Sequence, residues 1–477
     1  MSTHRPPSSL DLEPETMRRL GYAVVDRLIE HLTHMDAEPA WKMMTREDGE
    51  THLREPVPRE GRPVDELLPV LYRHVLDNAG RIGHPRFFAF VPSAVTFPGV
   101  LGDLLAAAYN PFVGTWFGGS GPTMLELVVV DWLREMVGLP EGSGGLLTSG
   151  GSAAAVIAFA AARHHRLDDR VEGAVIYASD QTHVAVDRAA WITGFPREAL
   201  RRLPTGDAYR LDPAVLRAAV AADRKAGRRP FLVVGNAGST NTGDVDPLDD
   251  LAAVAREEDL WLHVDAAYGG FAALVPRGRE VLAGIAEADS WVLDPHKWLF
   301  QGYECGSLLL RRPELLQSAF RLFPEYMQDT ALGDRRPNMS DRGLQLSRSA
   351  RALKLWLSIK TFGLDAFRGE VDRGLDLART AEAHIRDTPG FELLSPAKLG
   401  VVCFRLRPPE LPEEDLETLN RTVLTALNRS GYAFLSSTRL GERFALRLCI
   451  LSHRSREQDV TGVLDRIQEL GRAAGAN

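Results

Sequence analysis

Apolar residues at Met17, Leu20, Val24, Leu28 and Leu32 recur every three or four positions, the spacing of one helix face. Pro14 stands just ahead of them, where a helix start tolerates proline. From 37 to 69 the chain is largely polar and carries Pro39, Pro56, Pro58 and Pro63, so much of it reads as connector. Beyond about residue 84 the texture changes. Short apolar runs at 174–178 (AVIYA), 231–234 (FLVV), 260–264 (LWLHV), 290–293 (SWVL) and 307–310 (SLLL) predict strands. Helical stretches over 213–226 and 247–258 lie between some of them. This alternation predicts an α/β class with a mostly parallel sheet, in which ligands sit beyond the carboxyl ends of the strands. After residue 346 a helix over 348–360, a long helical stretch from 366, a strand near 401–406, another helix, a strand near 444–451 and a final helix predict a smaller α+β unit. The expected division is an N-terminal helical segment at 1–84, a large α/β domain at 85–362 and a small C-terminal domain at 363–477.

Composition narrows the function classes. Lys plus Arg number 56 against 64 Asp plus Glu, a net charge of −8, and nucleic-acid recognition needs a basic excess. The three cysteines, Cys305, Cys403 and Cys449, form no C-x-x-C pair, which predicts a reducing compartment, the cytoplasm by default. The start of the chain has no apolar signal region. The apolar run 153–162 is roughly half a membrane span and reads as a buried helix, so no membrane association is expected. With no H-E-x-x-H and no Cys/His cluster, no metal site is expected. Without a G-x-S-x-G elbow, a serine hydrolase is poorly supported.

Four islands place polar groups at predicted element boundaries. Thr148-Ser149-Gly150-Gly151-Ser152 precedes an apolar helical run. Its backbone N–H groups suit an anion such as phosphate, or Ser149 or Ser152 simply caps the helix. Asp265 ends an apolar strand and is followed by small residues, among them Ala267. A flat group could approach there, or the aspartate caps a turn. Lys297 lies in an apolar segment with Trp291, Trp298 and Phe300. If buried it would have a lowered pKa and act as a nucleophilic amine; otherwise its stem covers the neighbouring rings. His183 follows the AVIYA strand, placed to stack on a ring or to bond local backbone. Taken together, the islands ask for one ligand with a phosphate, a flat ring, a basic ring nitrogen and an aldehyde. That ligand is pyridoxal 5′-phosphate.

HPRFFAFVP (84–92), LLTSGGS, DQTHVAVDRA, AGSTNTGDVDP (237–247), HVDAAYGG, DPHKWLF and LSRSARALKLW (346–356) run in the order found in one family. The chain resembles the group II pyridoxal-phosphate-dependent decarboxylases, the family of aromatic L-amino-acid decarboxylase. The resemblance implies the fold type I transferase architecture and a homodimer with its active sites at the interface, the N-terminal helix packing on the partner. It implies that Lys297 holds the cofactor covalently, that Asp265 binds the pyridine nitrogen, and that His183 and Ala267 flank the ring. Gly150, Gly151 and Ser152 would hold the phosphate with His296 beside it, and Thr240 would lie near the ring substituents. Tyr326 corresponds to a tyrosine on the family's mobile loop that protonates Cα. Phe88, Phe90, Ser93 and Trp116 fall in segments expected near the substrate. Asp294 stands where animal members commonly carry asparagine, Ala153 where a glutamate is frequent, and the segment 114–122 departs from the animal pattern.

The implied reaction is α-decarboxylation of an L-amino acid to an amine and carbon dioxide. Phe88, Phe90, Trp116 and Phe117 favour an aromatic or other apolar substrate, and core packing accounts for them equally well. The alternatives are an acidic or other non-aromatic amino acid, an aldehyde synthase that adds oxidative deamination, and a catalytically silent protein on the same fold. Tyr326 argues against the aldehyde synthase, whose pattern has phenylalanine there.

Overall fold

The computed structural model describes residues 10–322, 333 and 336–475. The five apolar runs become the centre of a seven-stranded sheet. In chain order its strands are β1 (Gly144–Thr148), β2 (Ala174–Ser179), β3 (Leu200–Leu203), β4 (Arg229–Asn236), β5 (Trp261–Asp265), β6 (Ser290–Leu293) and β7 (Gly306–Leu310). They lie in the order β1-β7-β6-β5-β4-β2-β3. The pairs β2–β3, β2–β4, β4–β5 and β5–β6 are parallel, whereas β7 runs antiparallel to both β6 and β1.

Both faces of this sheet are covered, which is why its strands read as continuous apolar runs. The period of two sorts each strand between two cores. Leu262 and Val264 of β5 join the larger core with Val175, Tyr177, Val233, Trp291 and Leu293. Trp261 faces the other core, where Ala154, Ile157 and Phe159 of helix Gly151–Leu167 pack against Ile176, Val234 and Val292. His263 and Asp265 share the parity of Trp261, so β5 presents them on the face carrying that helix.

The C-terminal unit is a four-stranded antiparallel sheet in the order β10-β11-β9-β8, from β8 (Phe391–Ser395), β9 (Val401–Leu406), β10 (Ser436–Leu440) and β11 (Arg443–Cys449). Helices Leu364–Asp387, Glu413–Arg429 and Glu457–Gly475 pack with it. The N-terminal region is tied to this unit. Ala40 N–H donates to the Gly431 carbonyl, Arg454 donates to the Leu32 carbonyl, and Phe87 bridges Phe434.

Several elements differ from the expectation. β1 (GGLLT) opens on two glycines, which carry no β propensity, and forms because it pairs with β7. β3 (LRRL) is an edge strand, and its arginines reach outward to Asp223 and Asp187, charges that blunt an edge. The polar stretch expected to be connector contains helices Arg46–Leu53 and Val64–Val70. Thr45 caps the first of these by accepting from Asp48 N–H at 3.1 Å.

Candidate active site

Where β4, β5 and β6 end, their last residues bind one another. Ala237 N–H donates to the Asp265 carbonyl at 2.8 Å, Ala266 N–H to Val292 at 3.1 Å, and Asp294 N–H to Ala267 at 3.2 Å. A cavity of about 360 Å³ opens there, between these strand ends and the N-terminus of helix Gly151–Leu167. Gly150, Gly151, Ser152, His183, Thr240, Asp265, Ala267, His296 and Lys297 all line it. Nine site residues expected from sequence, drawn from five segments, thus meet at one place.

The glycine-rich end is shaped for close approach. Gly150 is the residue before the helix, and no side chain caps the first turn. A Cβ on Gly151 would lie 3.0 Å from Asp294 Oδ2 and 3.5 Å from the Ala267 Cβ, filling the cradle. A buried lattice supports this end from behind. Arg348 and Glu126, each 1% exposed, pair at 2.6 and 3.0 Å. The same two side chains hold the backbone of Leu147, Glu126 accepting from its N–H and Arg348 donating to its carbonyl.

Lys297 follows β6 in a short helical turn, Pro295–Trp298, anchored by the fully buried Trp298. The Ser93 hydroxyl donates to the Lys297 carbonyl. Lys297 Nζ lies 3.1 Å from Asp294 Oδ2. Burial pushes the amine toward neutrality, as expected from sequence, but the carboxylates of Asp294 and Asp265 outweigh it and raise its pKa. The expectation of a lowered pKa is therefore corrected for the protein by itself, since the sequence did not reveal two facing carboxylates.

His183 lines the cavity and also bonds local backbone. Its Nδ1 accepts from Ala185 N–H at 3.2 Å, leaving the Nε2 edge for the proton, and burial lowers its pKa against the pull of Asp265. Its segment is held by Asn236, whose side-chain amide donates to Ser179 Oγ and Thr182 Oγ1 at 3.1 Å and to Asp246 at 2.8 Å. Burial lifts Asp246 to about 6.

Burial lowers the pKa of His296 as well, against the pull of Asp294. Its Nδ1 accepts from Cys305 N–H at 3.2 Å, and its Nε2 lies 3.5 Å from Asp294. Sequence reasoning missed Asn236, and it missed His263, which lines the cavity with a buried Nε2 that has no partner. The parity of β5 carries that signal, because His263 stands two residues before Asp265.

The residues expected near the substrate do not line this cavity. Phe88 is fully buried in the core of the C-terminal unit, its N–H donating to Phe434 and its carbonyl accepting from Cys449. Phe90 is 60% exposed and meets Phe434 edge-on at 5.9 Å. Ser93 lines a second cavity beyond His296, with Tyr72, Gln301 and Tyr303. Trp116 opens helix Trp116–Val137, and its N–H is held by Asn338 at 3.1 Å. Tyr326 lies outside the described residues.

Residues 50–407 match the model of the pyridoxal-dependent decarboxylase conserved domain. The chain is a member of that family. An aromatic-L-amino-acid decarboxylase of Bacillus atrophaeus is 39% identical over 464 residues, covering 97% of each chain. A phenylacetaldehyde synthase of a Rosa hybrid cultivar is 30% identical, over 97% of this chain and 95% of its own. The crystal structure of Oryza sativa TDC with PLP and tryptamine superposes with a TM-score of 0.93 at 30% identity, covering 98% of this chain and all of that one. The decarboxylase therefore has the fold type I α/β architecture, uses pyridoxal 5′-phosphate and acts on an amino acid. The cavity fits that cofactor. It offers an uncapped helix N-terminus for a phosphate, a carboxylate at a strand end for a ring nitrogen, an imidazole and a small alanine for the ring, and an amine for the aldehyde.

Proposed function

We propose that this decarboxylase removes the α-carboxylate of an aromatic L-amino acid and releases the amine. The observation that carries the reading is the convergence of Lys297, Asp265, His183 and the Gly150–Ser152 turn on one cavity at the strand ends. The bound cofactor supplies an electron sink for the pair left on Cα. Lys297 holds it covalently, and Asp265 keeps a proton on its pyridine nitrogen. Gly151 and Ser152 bind the phosphate through backbone N–H groups, with His296 alongside. His183 and Ala267 cover the two ring faces, and Thr240 orients the ring edge. Phe90, Ser93 and Trp116 belong to the substrate side, with Phe88 fixing the Phe90 segment from the core.

Two observations favour an aromatic side chain over an acidic one. Among the described residues the cavity lining contains no arginine. Phe90 and Tyr303 leave aromatic surface exposed, each 60% accessible. The relatives named above act on aromatic compounds by their names. The test is a screen of purified protein with cofactor against the common L-amino acids, following amine and carbon dioxide. Turnover of an acidic amino acid in preference to tyrosine, tryptophan or phenylalanine would reject the substrate class.

The aldehyde synthase among the relatives keeps a second reading in view. Tyr326 is proposed to deliver the proton to Cα, so the wild type should yield amine without stoichiometric hydrogen peroxide. Tyr326→Phe should shift product toward aldehyde with oxygen uptake, and an unchanged amine yield would remove Tyr326 from the mechanism.

The protein is proposed to be a cytoplasmic homodimer. Unpaired Cys305, Cys403 and Cys449 suit a reducing compartment. Exposed apolar side chains gather on the N-terminal helix (Met17, Tyr22, Ile29) and on Phe97–Tyr109 (Leu104, Tyr109), a pattern that marks an interface. The division at 84/85 and 362/363 is proposed with it.

A further inference from the structure

A cavity larger than the cofactor's, about 540 Å³ against 360 Å³, lies elsewhere in the molecule. It opens between the end of the N-terminal helix Pro14–His34, helix Leu364–Asp387 and the segment leading into helix Glu457–Gly475. None of its lining residues lines the cofactor cavity. Four arginines face it: Arg86, Arg373, Arg454 and Arg456. Three carboxylates face it too, and two of them are engaged. Asp459 lies 3.6 Å from Arg86 and accepts from the Arg456 N–H at 2.9 Å, and Glu370 pairs with Arg373. The third, Asp36, is exposed. Arg454 stands apart. Its guanidinium donates to the Leu32 carbonyl at 2.7 Å, and among the described residues no carboxylate pairs with it. Burial draws its pKa down with no opposing charge to offset it. His453 lines the same cavity, and its buried Nδ1 has no hydrogen-bond partner.

A partly buried guanidinium without a counterion and an unpartnered imidazole nitrogen both cost free energy until something polar meets them. The charge left unmatched is positive, and a guanidinium can only donate. An oxyanion answers both groups, because it accepts charge-assisted hydrogen bonds from Arg454 and takes an N–H from the His453 ring. Arg456 adds a second cation at the mouth, exposed and paired with no carboxylate among the described residues. The volume falls in the range of small-molecule pockets, about 300–1,000 Å³, so the ligand is an organic anion and not a bare ion. We propose that this cavity is a second ligand site, which takes a small, multiply charged organic oxyanion on Arg454, Arg456 and His453. Phosphate esters and polycarboxylates share that chemistry. The site is separate from the cofactor's, so its occupant binds the loaded enzyme.

The test is calorimetric titration of the full-length holoenzyme, freed of excess cofactor, with citrate and with glucose 6-phosphate as probes. Ionic strength is held constant with chloride, and glucose serves as the uncharged control. At least one anionic probe should bind at one site per chain and raise the thermal midpoint, while glucose does neither. The tighter of the two probes tells a polycarboxylate site from a phosphate-ester site. The cofactor's visible absorbance should stay unchanged through the titration, since its own cavity is not involved. Arg454→Gln and Arg456→Gln should each weaken binding about tenfold or more, the loss of one hydrogen-bonded charge. The Arg456 side chain is exposed, so Arg456→Gln decides alone if Arg454→Gln does not fold. Absence of binding by both anions at millimolar concentration would overturn the proposal. So would undiminished binding in Arg456→Gln or in a folded Arg454→Gln, and so would loss of the cofactor's absorbance as the probe is added.

Discussion

Lys297 is held between opposing forces. Burial favours the neutral amine, and the Asp294 and Asp265 carboxylates favour the ammonium and prevail. The cofactor chemistry proposed for this amine would therefore start from a charged, paired side chain. Lys297→Ala removes the nucleophile and the cation together. The expected outcome is loss of the visible absorbance of covalently bound cofactor and at least a thousandfold fall in decarboxylation, read by spectrophotometry and amine release. Retention of the absorbance would place the covalent bond elsewhere. The residues legible from the chain at this scale were those with an unusual local setting: a lysine among rings, an aspartate ending an apolar strand, small residues before a helix. Asn236 and His263 have ordinary settings. Their role comes from what β2, β4 and β6 bring beside them, as in the bonds from Asn236 to Ser179 and Thr182.

Among the elements, β1 is the least self-sufficient. Its two leading glycines give it little intrinsic preference for a strand, and a buried ion pair fastens it at Leu147. Removing one partner of such a pair strands the other as an unpaired buried charge, at a cost of about 3–5 kcal/mol. Glu126→Ala should lower the unfolding free energy by about that amount, measured by urea denaturation. A loss near zero would mean that Arg348 finds another partner. The pair spans 222 residues of sequence, which explains why neither side chain announced its role. By contrast β2, β4, β5, β6 and β7 were legible because burial on both faces leaves a continuous apolar run. β3, β8 and β10 were not, since their partly exposed residues break that signature.

For the whole molecule, pH and assembly are the accessible variables. Burial holds His84, His263 and His453 at about 4. An unfolded histidine titrates near 6.5, so the unfolded chain binds these protons first as pH falls. Their contribution is present above about 6.5 and is lost progressively toward 4. Asp246, lifted to about 6, works in the opposite direction, since the folded state takes its proton first. Among these four groups three histidines oppose one carboxylate, so between pH 6 and 4 acid favours unfolding through them, each proton of difference being worth about 1.4 kcal/mol per pH unit. Urea midpoints measured at pH 7, 6 and 5 should therefore fall, and the fall should be shallower in His263→Gln. A flat profile would show that these histidines are open to solvent. Sedimentation should give twice the chain mass for the active species, and full activity in a monomer would reject the proposed dimer.

The chain by itself determined the α/β class, the central strands, the cofactor and the principal groups that line the cavity, because each of these leaves a mark within a few residues: an apolar run, a turn, a charge in an apolar setting. Only the tertiary structure decided that Asp294 faces both Lys297 and the Gly151 cradle, that Asn236 ties down the segment before His183, and that Phe88 belongs to the C-terminal core. These depend on contacts between segments far apart in sequence. Burial and charge balance, which set the protonation of a group, are properties of the assembled site and not of any local stretch.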